Sequence, residues 1–255
     1  MFKKLHVITQ TYKQKNLTKI AIKSFEKFKP EGLELNYIVV EGSSDVSYKK
    51  EIEEINKNVK WFNNPAAEFS DPVGRASTAN GMNIEFAKSK ISKLSEDEWV
   101  FVCHNDIAVQ SDNFFKVLFE YSKTHQLISC CRDNIRVNAC HISGLLVKNK
   151  ILQKVDCTHD LPRIDVGDRL TEYCRENEIK YISLPNTHNN KEVFQTISGV
   201  WSGVGENCGV DRCVYENEVI FCHLGRGTPK SLNRYTKLGK ITVGGWEKIH
   251  QQYLR

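Results

Sequence analysis

Residues 99–109 read "WVFVCHNDIAV". Trp99, Val100, Phe101, Val102, Ile107 and Val109 are large or apolar, with none of the polar alternation that marks a strand wet on one face. The stretch reads as a strand buried on both faces, the kind found inside parallel sheets. His104, Asn105 and Asp106 interrupt it. A carboxylate, an amide and an imidazole at the end of a core strand need polar partners or a ligand, because burying them bare is costly.

The upstream sequence supplies the rest of such a sheet. "KLHVITQTY" is a short, β-branched apolar run and reads as a first buried strand. "NLTKIAIKSFEKF" places Leu17, Ile20, Ala21, Ser24, Phe25 and Phe28 on one helical face, with Asn16 as its N-cap. "LELNYIVVEGSSD" is a second strand running into a Gly-Ser turn, and "VSYKKEIEEINK" a helix. "VKWF" is a short strand, and "NNPAAEFSDPVG" a loop rich in breakers. From Arg75 to Lys93 the pattern is helical. Strand and helix alternate up to Val109, which predicts an α/β fold with a mostly parallel central sheet flanked by helices. Ligands of such sheets lie beyond the carboxyl ends of the strands. Those ends carry Thr9, Thr11 and Tyr12, then Glu41 to Asp45, then His104, Asn105 and Asp106, which places the polar triplet at the mouth of a site.

The second half is less regular. "FFKVLFEYSK" and "RIDVGDRLTEYCRENE" read as helices; "LISCC", "ACHISGLLVK", "IKYISLP" and "EVIFCHLGRGT" read as strands, the last ending on His223 and a Gly-rich turn. No internal repeat or linker is evident. The 255 residues are taken as one continuous unit in three stretches, 1–110, 111–225 and a basic C-terminal segment (226–255).

Composition is that of a soluble globular protein. No stretch approaches the roughly 18 apolar residues of a membrane span, and no signal peptide is read, although peripheral membrane contact is compatible with the charge. Nine cysteines, several inside apolar runs (Cys103, Cys130, Cys131, Cys222), favour a reducing, cytoplasmic compartment. Cys208, Cys213, Cys222 and His223 have a C-x4-C-x8-C-H spacing that fits no familiar zinc pattern. Net charge is +5, and from Arg226 onward seven basic residues stand against Glu247 alone. Such a local field attracts phosphate, whether of a nucleotide, a nucleic acid or an anionic lipid.

Common phosphate-binding loops are absent. The turn after the first strand, "TQTYKQKN", has no glycine, and "GRGTPKS" is no P-loop; no G-x-S-x-G elbow occurs. A strand-end carboxylate with a hard divalent cation, Mn²⁺ or Mg²⁺, would neutralise phosphate instead, and Asp106 is the candidate.

At this point the sequence resembles the GT-A glycosyltransferases, family 2 in particular, over roughly residues 5 to 230. "VITQTY" resembles the family's first strand and "VVEGSSD" its "VDDGSTD" turn, with Glu41 where aspartate is usual. "GRASTANGMNIEFA" is similar to its "G-x-x-x-A-x-N-x-G" helix start, and "CHNDI" to its D-x-D strand end with histidine in place of the first acid. "ISGLLVKNKILQKV" resembles an acceptor-side segment, "RIDVGDRL" the segment carrying the catalytic base, and "FCHLGRGT" the strand whose histidine completes the metal site. The resemblance implies a nucleotide-sugar donor, UDP-linked, held by Thr9, Thr11, Tyr12, Glu41, Arg75, Asn80, His104 and Asn105. Arg226 and Lys230 would grip phosphate, Asp106 and His223 would bind the metal, and Asp165 or Asp168 would act as base in an inverting displacement. Asp165 and Asp168 also have the chemistry of helix caps. The acceptor implied is a surface glycan. A phage-type enzyme acting on hydroxymethylated DNA bases is an alternative, and a non-catalytic nucleic-acid- or glycan-binding module is a reading of another class. A nucleotidyltransferase is disfavoured, since no Gly-rich loop with a basic residue follows the first strand.

Overall fold

Four parallel strands around the first one form the body of the main sheet. In the computed structural model, which describes residues 2–68, 76–133, 138–160, 163–187, 190–198, 201, 210–225 and 241–255, these are β1 (Lys4–Thr11), β2 (Glu34–Glu41), β3 (Val59–Asn63) and β4 (Trp99–His104). Helices α1 (Lys15–Phe28), α2 (Lys49–Glu53) and α3 (Ala76–Lys90) intervene between them in the chain, as the strand–helix alternation predicts. The order is β10-β6-β9-β4-β1-β2-β3. β9 (Gly144–Lys148) runs antiparallel to both neighbours, while β10 (Tyr181–Ser183) is parallel to β6 (Leu127–Ser129). Both halves of the chain thus contribute to one mostly parallel sheet.

Every residue of β1 after Lys4 is buried, because helices cover both faces. On one face Phe25 of α1 and Phe114 of α4 (Asn113–Tyr121) meet Phe101 of β4, and Phe115 meets Phe25. On the other, Ile84 and Ala87 of α3, Ile151 and Leu152 of α5 (Asn149–Lys154) and Leu170 and Cys174 of α6 (Asp168–Glu176) pack on Ile8, Val100 and Val102.

The stretch Trp99–Val109 is two strands, not one. β4 ends at His104, and β5 (Ile107–Val109) joins a second sheet of order β11-β12-β5, formed with β11 (Asp211–Tyr215) and β12 (Glu218–His223). The polar triplet sits at the crossing between the sheets. Phe221 of β12 binds the two together, its ring 6.1 Å from Phe101 and stacked at 5.7 Å on Phe114. The same ring fixes the glycine of β9: a Cβ on Gly144 would lie 2.7 Å from it.

Other boundaries move for local reasons. Asn16 lies inside α1 rather than capping it and donates to Glu247 Oε1 at 3.0 Å. The helix after β2 is only Lys49–Glu53, since Asp45 Oδ1 accepts the Ser47 N–H and holds the preceding residues in a turn. "ACHISGLLVK" divides into β8 (Ala139–Cys140), which pairs with β7 (Arg132–Asp133), and β9. β11, absent from the sequence reading, joins β12 through a tight turn in which Glu216 and Asn217 both have positive φ. That geometry ordinarily announces itself as Asn-Gly. Two short helices, α7 (Lys191–Gln195) and α8 (Val243–Ile249), and two 3-10 turns, Pro65–Ala67 and Gln251–Tyr253, complete the described elements.

Candidate metal and donor site

β1, β2 and β4 end on the same edge, at Thr11, Glu41 and His104. Asn105 turns toward α1, its Nδ2 donating to Thr11 Oγ1 at 3.2 Å and lying 3.4 Å from Thr18 Oγ1. Asp106 is buried beside the end of β12, and its carbonyl accepts the Leu224 N–H at 2.8 Å.

That pairing brings His223 to Asp106. Nε2 of His223 is 3.4 Å from Asp106 Oδ1, and Nδ1 of His104 is 4.0 Å from the same oxygen. One ligand atom each from His104, Asp106 and His223 lies within 4.8 Å of the others. On its far side His223 Nδ1 donates to Asp211 Oδ2 at 3.2 Å, which fixes the tautomer and turns Nε2 toward Asp106. A carboxylate behind a metal-facing imidazole is the common supporting arrangement of metal-bound histidines. The two rings differ electrostatically. Burial drives the His104 imidazole down to about 3 against the pull of Asp106, so it is neutral, as a ligand must be. Burial also lowers His223, but the charge of Asp106 and the approach of Asp211 and Cys131 outweigh it and hold its pKa well above the usual range, so a metal bound at Nε2 would displace a proton held between His223 and Asp106. His104 Nε2 is buried and has no hydrogen-bond partner. Two imidazoles and a carboxylate therefore fit a divalent transition metal better than Mg²⁺, which prefers an all-oxygen shell.

Three residues that the sequence reading did not select complete this cluster. Cys131, Asp211 and His223 form a second group of ligand atoms within 4.8 Å. The His141 ring lies 6.1 Å from that of His104 and 5.9 Å from that of His223, its Nδ1 accepting the Ser143 N–H at 3.2 Å. Asp211 pairs in register with His223 across the hairpin, a signal that becomes visible only once β11 is recognised. The C-x4-C-x8-C-H reading gathers no site among the described residues: Cys213 and Cys222 are buried and belong to neither group, and Cys208 lies outside them. The eight described cysteines are all buried.

The acid pair lies close by. Asp165 is near enough for its charge to act on His104. Gly167, at φ +80, stands in the cap position before α6, and a Cβ there would lie 2.8 Å from Ile142 Cδ1. Asp168, only 1% exposed, accepts the Asp165 N–H on Oδ2 at 2.9 Å. Asp165 is half-buried, with Oδ1 accepting the Val166 N–H at 2.8 Å.

At the other end of the edge, Glu41 is fully buried. Its carboxylate accepts from Ser43 Oγ at 2.6 Å, from the Lys13 N–H at 3.1 Å and from the Tyr48 hydroxyl. Burial raises its pKa against these hydrogen bonds. Tyr48 also meets Thr11 Oγ1 at 3.0 Å, and the Thr18 hydroxyl donates to Thr11 at 2.9 Å. Thr9 is buried, in register with Cys103. Tyr12 is half-buried and donates to Glu68 Oε1 at 3.2 Å. Asn80 is half-buried on α3, whereas Asn83, one turn on, is buried and accepts from Asn64 Nδ2 at 2.9 Å. Arg75, Arg226 and Lys230 lie outside the described residues, as does the first half of the basic C-terminal segment. Among the described residues no helix is long and apolar enough to cross a membrane.

No family model matches the sequence, and no curated protein matches it. Solved structures do. The mannosyltransferase PcManGT from Pyrobaculum calidifontis, in complex with GDP-Man and Mn²⁺, superposes with a TM-score of 0.52 at 14% identity, over 71% of this chain and 54% of that one. The galactosyltransferase LgtC with donor and acceptor sugar analogues gives 0.44 at 11% identity, over 59% and 60% of the two chains. Mouse xyloside xylosyltransferase 1 gives 0.45 at 11% identity, over 71% and 85%. The chain thus spans a little over half the length of the first two. The fold is that of the GT-A nucleotide-diphospho-sugar transferases.

Proposed function

We propose that this protein is a metal-dependent glycosyltransferase that moves a sugar from a UDP-linked donor to a hydroxyl of an acceptor glycan, with inversion. The observation that carries the reading is the convergence of His104, Asp106 and His223 where the chain crosses between sheets. This lies on the edge at which α/β folds of this kind bind nucleotides.

His104, Asp106 and His223 would hold a divalent cation, Mn²⁺ in preference to Mg²⁺, whose charge offsets that developing on the diphosphate leaving group. Asp211 keeps His223 in the tautomer that presents Nε2. Asp165 takes the acceptor proton as the hydroxyl attacks the sugar carbon, and Asp168 holds the Asp165 backbone. Thr11, Tyr12 and Glu41 shape the ribose and base pocket, Glu41 through the Tyr48–Thr11 network. Thr9, Asn80 and Asn105 line it, and Arg75, Arg226 and Lys230 grip phosphate. The buried cysteines, packed as small apolar side chains, fit a cytoplasmic enzyme. No observation supports modified DNA as the acceptor.

The test is thermal stability and donor turnover with and without Mn²⁺. Mn²⁺ should raise the Tm of the wild type and switch on slow hydrolysis of a UDP-sugar. Asp106→Asn should lose both responses while unfolding cooperatively. A Tm indifferent to Mn²⁺, with no turnover of any nucleotide-sugar, would overturn the reading.

A further inference from the structure

We propose that Gln10 reads the donor's sugar ring, through a pair of hydroxyls, and so sets which sugar the enzyme accepts. The inference rests on the transferase reading and adds a residue to it.

Gln10 is the penultimate residue of β1 and is 4% exposed, yet neither Nε2 nor Oε1 has a hydrogen-bond partner. An amide with both ends buried and unanswered is rare in a folded chain, because each group loses its water without recompense. Its position indicates what would answer it. Gln10 pairs in register with His104 on the adjacent parallel strand. Register partners in a parallel pair point to the same face, about 4.8 Å apart. The two side chains therefore stand together at the carboxyl end of the sheet. His104 Nε2 is itself buried and unpartnered. The opposite face of β1 at this level is closed by the Thr11–Thr18–Asn105 network.

The chemistry of the side chain narrows the ligand. An amide offers donor and acceptor at once and carries no charge. A phosphate has no proton for Oε1 at neutral pH and is drawn instead to the cation side of His104. A nucleobase is planar and would lie by Glu41 and Tyr48, at the β2 end. Vicinal hydroxyls, each able to donate and to accept, satisfy both ends of Gln10. In a nucleotide-sugar both the ribose and the transferred sugar carry such hydroxyls; the ribose would lie with the base toward Glu41, which leaves the transferred ring for Gln10, next to the metal ligands. A site built to hydrogen-bond a hydroxyl rejects an analogue that lacks it, since its own buried groups are then left unpaired.

The experiment compares affinities by calorimetry in Mn²⁺ for UDP-glucose, UDP-N-acetylglucosamine and GDP-mannose, each against bare UDP or GDP. In the wild type one donor should bind more tightly than its bare diphosphate. Gln10→Met, which keeps the volume and removes the amide, should cut that preference about tenfold or more and leave the bare diphosphate unchanged. The ligand-free Met variant should also melt higher, because an unpaired amide has been removed. Gln10→Asn, which keeps the amide but draws it back, covers a Met variant that fails to fold and should lose the preference likewise. A preference retained in both variants, a wild type with no preference, or a Met variant that melts lower would overturn the assignment of Gln10 alone. A wild type that binds no nucleotide at all would overturn the transferase reading and this one with it.

Discussion

Asp211 faces His223 across the β11–β12 hairpin, its Oδ2 3.2 Å from Nδ1, and thereby turns the other ring nitrogen toward Asp106. The two residues are opposite each other because the hairpin register puts them there. Asp211→Asn should keep the hairpin and weaken Mn²⁺ about 10- to 100-fold, the usual cost of losing a carboxylate behind a metal-bound imidazole. Calorimetric titration of Mn²⁺ into wild type and variant measures it. Equal affinities would show that Asp211 serves the hairpin alone.

The main sheet was legible because its strands are buried on both faces and read as unbroken apolar runs between helices with a clear stripe. Asp106 and His223 were legible for the same reason: each ends such a run. What stayed hidden is non-local. The polar triplet marks an interruption but not a change of sheet, because Ile107–Val109 is as apolar as Trp99–Cys103, and only the pairing with β12 shows that the sheets differ. Asp211 and β11 were missed because Glu216-Asn217 makes a turn that sequence usually writes with glycine. His141 and Cys131 reach the cluster through β8 and the β6–β7 connection, from segments whose own pattern is too short to place. Tyr48 acts on Glu41 from a turn that read as helix.

A pH effect is expected far from the metal cluster. His250 is buried against Trp246, with Nδ1 donating to the Trp246 carbonyl at 3.0 Å and Nε2 accepting from Gln110 Nε2 at 3.0 Å. Burial lowers its pKa from 6.5 to about 4, against the hydrogen bond to Trp246 that raises it. The folded state therefore favours the neutral ring. Its contribution is complete above pH 6.5 and is lost as pH falls toward 4, because the unfolded chain takes up the proton first. The loss is about 1.4 kcal/mol per pH unit at most. Chemical denaturation of wild type and His250→Gln from pH 7 to 4 should show the two stabilities converging as pH falls. Parallel curves would remove His250 from the acid response.

Gly167 should not tolerate a side chain. It combines φ +80 with a Cβ position 2.8 Å from Ile142 Cδ1. Alanine there meets both backbone strain and a clash, and should cost about 1–3 kcal/mol. Since Gly167 joins Asp165 to Asp168, turnover should fall further than stability explains. Denaturant unfolding beside turnover at a temperature where the variant is fully folded separates the two. Turnover equal to wild type under those conditions would place the acid pair outside the chemistry.

The acid pair itself divides by burial. Asp168 is sealed at the start of α6 and accepts the Asp165 N–H, so its charge is committed to backbone, whereas Asp165 is half-buried and lies toward His104. A base must reach solvent-borne acceptor before the transfer, and only Asp165 is open enough to do so. Asp165→Asn should leave the Tm and the donor KM near wild type and lower kcat by about 10²- to 10⁴-fold, the range that general-base catalysis supplies. Asp168→Asn should instead lower the Tm, since the shared N–H loses its charged acceptor, with a smaller kcat effect that disappears as temperature is reduced. Steady-state kinetics beside thermal melts for both variants decide it. If Asp168→Asn is the variant with a normal Tm and a collapsed kcat, the roles are exchanged. If neither variant changes kcat, the proton is not taken by this pair.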